Sequence, residues 1–192
     1  MAEKGEGEIR GQITDQYKMQ SQVEIAMLKS NTEYASRYGV RSIGDNGGYV
    51  AVSVHHDGKL RDDDGNLTNF GKEMFVSEAV ARDGWRIRLT NDGAVVSGEK
   101  MPDGLANMKH YEIKSPVAQT TEYEKNIRYA LRKAEKNYKT QVVALYMGKE
   151  TVAKVHREHI CRAIDLYTKR SPHRFETIVV VDVKGNTYYW KH

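Results

Sequence analysis

Apolar residues recur in two rhythms along this chain, one close to helical spacing and one of strict alternation, and the two interleave as they do in a mixed α/β fold. Val23, Met27, Tyr34 and Tyr38 predict a helix over 23–38, after a charged, Gly-punctuated lead-in over 1–20. Asp45-Asn46-Gly47-Gly48 is turn chemistry, and Tyr49 to Val54 reads as a strand. A polar loop then runs to Asn66, so residues 1–66 form an N-terminal extension of helix, strand and loop ahead of a main domain over 67–192.

The pattern sharpens after residue 67. Thr68 or Asn69 caps a helix with Phe70, Met74, Phe75, Ala79 and Val80 as its stripe, and Gly84 ends it. Trp85 to Leu89 alternates as a strand; Asn91-Asp92-Gly93 is a turn, and a short extended piece leads to the corner Pro102-Asp103-Gly104. His110 to Ser115 is a further strand, stopped by Pro116. A helix is expected over Thr121–Lys139, a buried strand over Gln141–Met147, and a second helix over Thr151–Lys169. Phe175–Val183 and Thr187–Trp190 form a hairpin around Lys184-Gly185-Asn186. The expectation is a mixed sheet flanked by helices.

Composition narrows the class. With 39% hydrophobic and 29% charged residues among 192, the chain has the balance of a globular domain. Cys161 is the single cysteine, which excludes an internal disulfide framework. No apolar run reaches the roughly 18 residues a membrane helix needs, and the charged first residues do not read as a signal peptide. The net charge of +4 is unevenly spread, because residues 121–174 hold 13 basic and 6 acidic residues. Arg128, Arg132, Lys133, Lys136 and Lys139 form the backbone-contacting set that such a stretch would offer a polyanion; a solvated helical face is the plainer alternative.

Candidate chemistry lies between the corner and the strand after it. Glu112 and Lys114 are two apart on a strand and project from one face. Asp103, at the Pro-Gly corner, can bring a second carboxylate there, and Glu78 on the preceding helix a third. Paired carboxylates are hard-oxygen ligands suited to Mg²⁺ or Mn²⁺. A lysine beside them orients a water or answers charge growing on a phosphate. The alternative is that Glu112 and Lys114 are a surface ion pair and Asp103 a turn residue.

The order of helix with Glu78, strand, Pro102-Asp103, Glu112-Ile113-Lys114 on a strand, helix and strand resembles the PD-(D/E)XK nuclease superfamily over residues 68–147. Tyr111-Glu112-Ile113-Lys114-Ser115-Pro116 after a close-spaced Pro-Asp-Gly is similar to the C-terminal toxin nucleases of contact-dependent growth inhibition and related polymorphic toxins. The resemblance implies an αβββαβ core, here with an extra helix and a C-terminal hairpin. It implies Asp103 and Glu112 as ligands of a divalent metal, Lys114 serving the attacking water, Glu78 as the helix carboxylate and Gln141 as a polar position on the next strand. A nucleic-acid substrate, tRNA slightly ahead of DNA, follows from the same likeness. So do a cognate immunity protein and delivery by a producing bacterium into a target-cell cytoplasm. The rivals are a phage or housekeeping nuclease of the same fold, and a nucleic-acid-binding module without chemistry.

Other signals are weaker. Asp62-Asp63-Asp64-Gly65-Asn66 lacks the acid spacing of a calcium loop and reads as a turn. His55 and His56 point opposite ways on a strand, and His156 and His159 have no third ligand near in sequence. Cys161 reads as a packing residue, and Tyr123, Tyr129 and Tyr138 lie among the basic positions where a ring could stack on a base.

Overall fold

A computed structural model describes residues 15–30, 37–90, 95–96, 99–116, 123–148, 154–171 and 175–191. The expected helix starts at Thr121 and Thr151, the lead-in over 1–14 and the Asn91-Asp92-Gly93 turn lie outside those residues. The chain divides into two compact units, one within residues 7–94 and 103–109, the other within 95–102 and 110–192. Both mix strands and helices, and the α/β class expected from the sequence is what the structure has.

The first unit contains helix α1 (Asp15–Ser30), strands β1 (Tyr38–Ile43) and β2 (Tyr49–Ser53), helix α2 (Asn69–Arg82) and strand β3 (Arg86–Leu89). The short strands β4 (Val95–Val96) and β5 (Glu99–Lys100) belong to the second unit, and β6 (Gly104–Ala106) returns to the first. Strand order is β1-β2-β3-β6, with β2 and β3 parallel and the outer pairs antiparallel. β2 is buried on both faces: Tyr49 and Ala51 meet Ile25 and Leu28 of α1, while Val50 and Val52 alternate to the other side.

α2 starts as its sequence dictates. The Thr68 hydroxyl accepts from Gly71 N at 3.0 Å, satisfying an amide of the first turn. Gly71 is required by a close approach: a Cβ there would lie 1.9 Å from Leu60 O. The polar loop before it is a carboxylate-organised turn, in which Asp62 Oδ1 accepts from Asp64 N (3.1 Å) and Asn66 N (2.8 Å). Asp182 repeats the device in the last hairpin, accepting from Lys184 N and Asn186 N at 2.8 and 2.9 Å. Both segments read Asp-x-x-Gly-Asn, and a side chain saturated by backbone amides explains the Asp62 loop without a metal.

α1 departs from the sequence expectation. It is already formed at Asp15, ahead of Val23, and Tyr38 opens a strand the hydrophobic pattern did not show; Tyr34 lies outside the described residues. Val23 and Met27, which suggested its inner face, are 54% and 50% exposed. Polar side chains turn the helix the other way. Arg86 Nη1 donates to Glu24 Oε1 at 2.5 Å, and Tyr49 OH donates to Glu24 Oε2 at 2.8 Å. Arg88 Nη2 reaches the same Oε2 at 3.5 Å, and the Arg86 guanidinium lies 4.9 Å from the Tyr17 ring centroid. A period of apolar residues cannot report a face chosen by ion pairs with strands more than sixty residues away.

In the second unit, β7 (Lys109–Lys114), helix α3 (Tyr123–Ala134), β8 (Val142–Tyr146), helix α4 (Lys154–Arg170), β9 (Thr177–Val181) and β10 (Thr187–Lys191) follow in sequence and in space. β7, β8 and β9 run parallel and β10 closes an antiparallel hairpin. β8 and β9 are buried throughout, and α3 and α4 pack together on one face over Val143, Leu145, Ile178 and Val180. α3 stops earlier than expected, because the chain turns after Ala134 and Lys139 takes a φ of +46°.

Two measurements check this account. Gly71→Ala should lower stability by about 1–3 kcal/mol in urea melts through its clash with Leu60, whereas an unconstrained helix position would gain up to about 1 kcal/mol. Burial pushes the Tyr49 phenol up to about 12, against the pull of Arg88 and with help from Glu24. A raised phenol favours the fold fully below the unfolded value near 10, so that stabilisation should disappear as pH climbs from about 10 to about 12. Tyr49→Phe should show a flatter loss over that window.

Candidate active site

Register decides where the candidate chemistry falls. Glu112 pairs with Val143 and Lys114 with Leu145 across the parallel β7–β8 ladder. In-register neighbours share a face, and Val143 and Leu145 belong to the apolar layer with Ile127 and Leu131 of α3 and Ile160 and Ile164 of α4. Glu112 and Lys114 therefore project from the helix-covered face. The expected common face of the two is present, and Lys114 Nζ contacts Glu112 Oε1.

The surroundings change the meaning of that pair. Glu112 is fully buried, at 0% exposure, while the lysine side chain keeps 23%. A carboxylate withdrawn from water at an apolar layer costs several kcal/mol, which an adjacent cation offsets only in good geometry. A surface ion pair of marginal value does not describe it.

Asp103 is also buried, at 6% exposure, and belongs to the first unit, whereas Glu112 and Lys114 belong to the second. Its backbone is fixed against β3: Thr90 N donates to Asp103 O at 2.9 Å, and a Cβ at Gly104 would lie 2.1 Å from Arg88 O. The Pro-Asp-Gly corner is thus held by a backbone contact only glycine permits. Glu78 is exposed on the outer side of α2, in a groove with Ser42, Ile43, Asp45, Phe75 and Arg82. It faces solvent, unlike the two buried carboxylates. Gln141 joins the starts of three strands: Nε2 donates to Glu176 Oε1 at 2.6 Å, and Oε1 accepts from His110 N at 3.4 Å.

The basic set divides. Arg128 and Arg132, one turn apart on α3, line one groove with Lys125, Asn126 and Tyr129 and another with Glu135, Tyr167, Arg170 and Ser171. The Lys133 ammonium lies 4.6 Å from the Tyr129 ring centroid, and Lys139 is 5.0 Å from that of Tyr138. Lys136 is exposed beyond the end of the helix. Sequence reading did not single out Glu124 or Glu135, whose partners come from α4 and the residue after it. Glu124 Oε1 takes His159 Nδ1 at 3.0 Å and Arg162 Nη1 at 3.2 Å. Glu135 Oε2 accepts from the Tyr167 hydroxyl and from Ser171 Oγ. No sequence signal marks such pairs, since their members lie 32 to 38 residues apart.

The remaining signals find structural uses. His56 Nε2 lies 2.5 Å from Glu73 Oε2, with its ring edge-on to Phe70. Burial pushes the Cys161 thiol up, as expected of a packing residue rather than a nucleophile. The His156 side chain lies outside the described residues. Among those residues no cluster of three His, Cys, Asp or Glu forms a ready metal cage, and no helix is long and apolar enough to cross a membrane.

No protein-family model matches the chain, and no curated protein matches it. Among solved structures it is similar to a chain of a CdiA-CT/CdiI toxin and immunity complex from Burkholderia pseudomallei. Identity is 15% and the TM-score 0.48, over 71% of this chain and 98% of that one. A likeness of that degree carries no functional argument, and the function has to be argued from the residues.

The buried partner sets the expectation for Lys114. Lys114→Met should cost about 3–5 kcal/mol, the range for a buried carboxylate stripped of its cation. The cost should shrink in a Glu112→Gln background when both are read by urea melts as a double-mutant cycle. Equal costs in the two backgrounds would show that the pair is not coupled.

Proposed function

We propose that this chain is a metal-dependent endonuclease that hydrolyses phosphodiester bonds, acting as the toxic domain of a bacterial delivery system. The observation that carries it is Glu112: a fully buried carboxylate paired with a lysine on the helix-covered face of β7. Stability alone is a poor reason to keep such a pair, since an apolar pair of similar volume is commonly as stable or more so.

The donor set fits a hard divalent ion. Asp103 and Glu112 are oxygen ligands, and no soft sulfur donor is among the candidates. Asp103 and Glu112 would hold the Mg²⁺ or Mn²⁺, as the resemblance implies. Bound there, the ion supplies Lewis-acid stabilisation of phosphate charge and a more acidic water. Lys114 would donate a hydrogen bond to the attacking water or to a phosphate oxygen, from an ammonium that Glu112 already orients. Glu112 would hold that ammonium in place through the reaction. Glu78, solvent-facing on α2, is the least supported member of the set, and Gln141 is committed to Glu176 and His110.

RNA, tRNA in particular, is slightly favoured over DNA as substrate, on the resemblance alone. The same resemblance supports a cognate immunity protein in the producer and action in the cytoplasm of a target cell. A second reading, a binding module without chemistry, draws on the cationic side of α3 and leaves the buried pair without a purpose.

Cleavage separates the two. Purified protein with Mg²⁺ should cut total RNA or plasmid DNA, and chelation should stop it. Glu112→Gln and Asp103→Asn should each lower single-turnover cleavage by about 10²–10⁴-fold with the fold intact by circular dichroism. Cutting at the wild-type rate by both variants would overturn the assignment.

A further inference from the structure

We infer that α3 carries a stacking platform for an unpaired base, so that the nucleic acid this protein engages is single-stranded where it crosses the helix. This rests on the nucleic-acid reading above and specifies its substrate class. Of the three tyrosines among the basic positions, Tyr123 is in the core at 8% exposure and Tyr138 packs its ring against His110 at 5.6 Å. Tyr129 is 59% exposed. It lies on the wall of a groove of about 410 Å³ with Lys125, Asn126, Arg128 and Arg132, and Lys133 stands over its ring at 4.6 Å.

The charge around it is one-sided for a structural reason. Glu124 and Glu135, the described carboxylates at the two ends of the helix, are both engaged by α4. Among the described residues, the groove that Tyr129 lines therefore presents lysine and arginine. From Lys125 to Lys133 is about 12 Å along the helix axis, room for more than one phosphate beside the ring. A bare duplex hides its base faces inside the stack and could use the cations but not the tyrosine. An unpaired strand uses both, with phosphates on the guanidinium and ammonium groups and a base face on the ring. An acidic protein surface would likewise need the charges and leave the ring without a specific role.

The test is fluorescence anisotropy with metal chelated, so that binding is read whether or not the protein cuts. The probes are a short fluorescein-labelled single strand and the duplex it forms with its complement. The wild type should prefer the single strand. Tyr129→Ala should weaken single-strand binding by about 5- to 100-fold, with less than about a 2-fold change for the duplex, and Tyr129→Phe should restore it. Arg132→Gln should weaken both probes and reduce the log–log salt slope on the single strand by about 0.7. Thermal melting confirms that each variant is folded. Equal losses on both probes with Tyr129→Ala, no loss on either, or poly-glutamate competing as well as the strand would overturn the platform. A protein that binds in this way and never cleaves would leave the platform standing and remove the nuclease reading.

Discussion

The in-register parallel pairing of β7 with β8 is the constraint from which the second unit's chemistry follows. It sets Glu112 beside Val143 and Lys114 beside Leu145, and so commits both to the face that α3 and α4 cover. A slip of one residue would send Tyr111 and Ile113 to that face and the two charges to the other. Once register is fixed, Glu112 is buried and Lys114, two residues along the same strand, lies against it.

Among the described residues, the carboxylates at the two ends of α3 are drawn toward α4 by the packing of the two helices. Ile127, Leu131 and Ala134 seat the helix on the sheet, and Glu124 and Glu135 are answered by His159, Arg162, Tyr167 and Ser171. Among the described residues, the groove outside α3 is lined by Lys125, Arg128 and Arg132 with the exposed Tyr129 ring. In the proposed reading, the buried carboxylate with its lysine would serve the chemistry and the cationic groove would hold a polyanion.

The first unit is built on a different balance. α1 is oriented by Glu24 among Arg86, Arg88 and Tyr49 as well as by Ile25 and Leu28, so its docking couples electrostatics to packing. Backbone proximity does comparable work at Gly71 and Gly104, where two carbonyls leave no room for a side chain. These tight contacts fix the loop before α2 and the corner that carries Asp103.

The sequence by itself determined the local elements wherever a single physical rule governs them. The helix start at Thr68 or Asn69, the all-apolar β8, the turn at Lys184-Gly185-Asn186 and the shared face of Glu112 and Lys114 follow from capping, alternation and turn chemistry within a few residues. The α/β class followed from their order. Only the tertiary structure decided the rest. It turned α1 so that Val23 and Met27 face water, made a strand of Tyr38–Ile43, shortened α3, and placed Glu78 outside on α2. It also selected Tyr129 from three tyrosines in similar sequence settings and buried Glu112 beside Lys114, where the sequence leaves a surface ion pair open as the alternative. The reason is common to all of these: burial and ion pairing are decided by neighbours tens of residues distant, and a periodicity read along one segment carries no record of what will cover it.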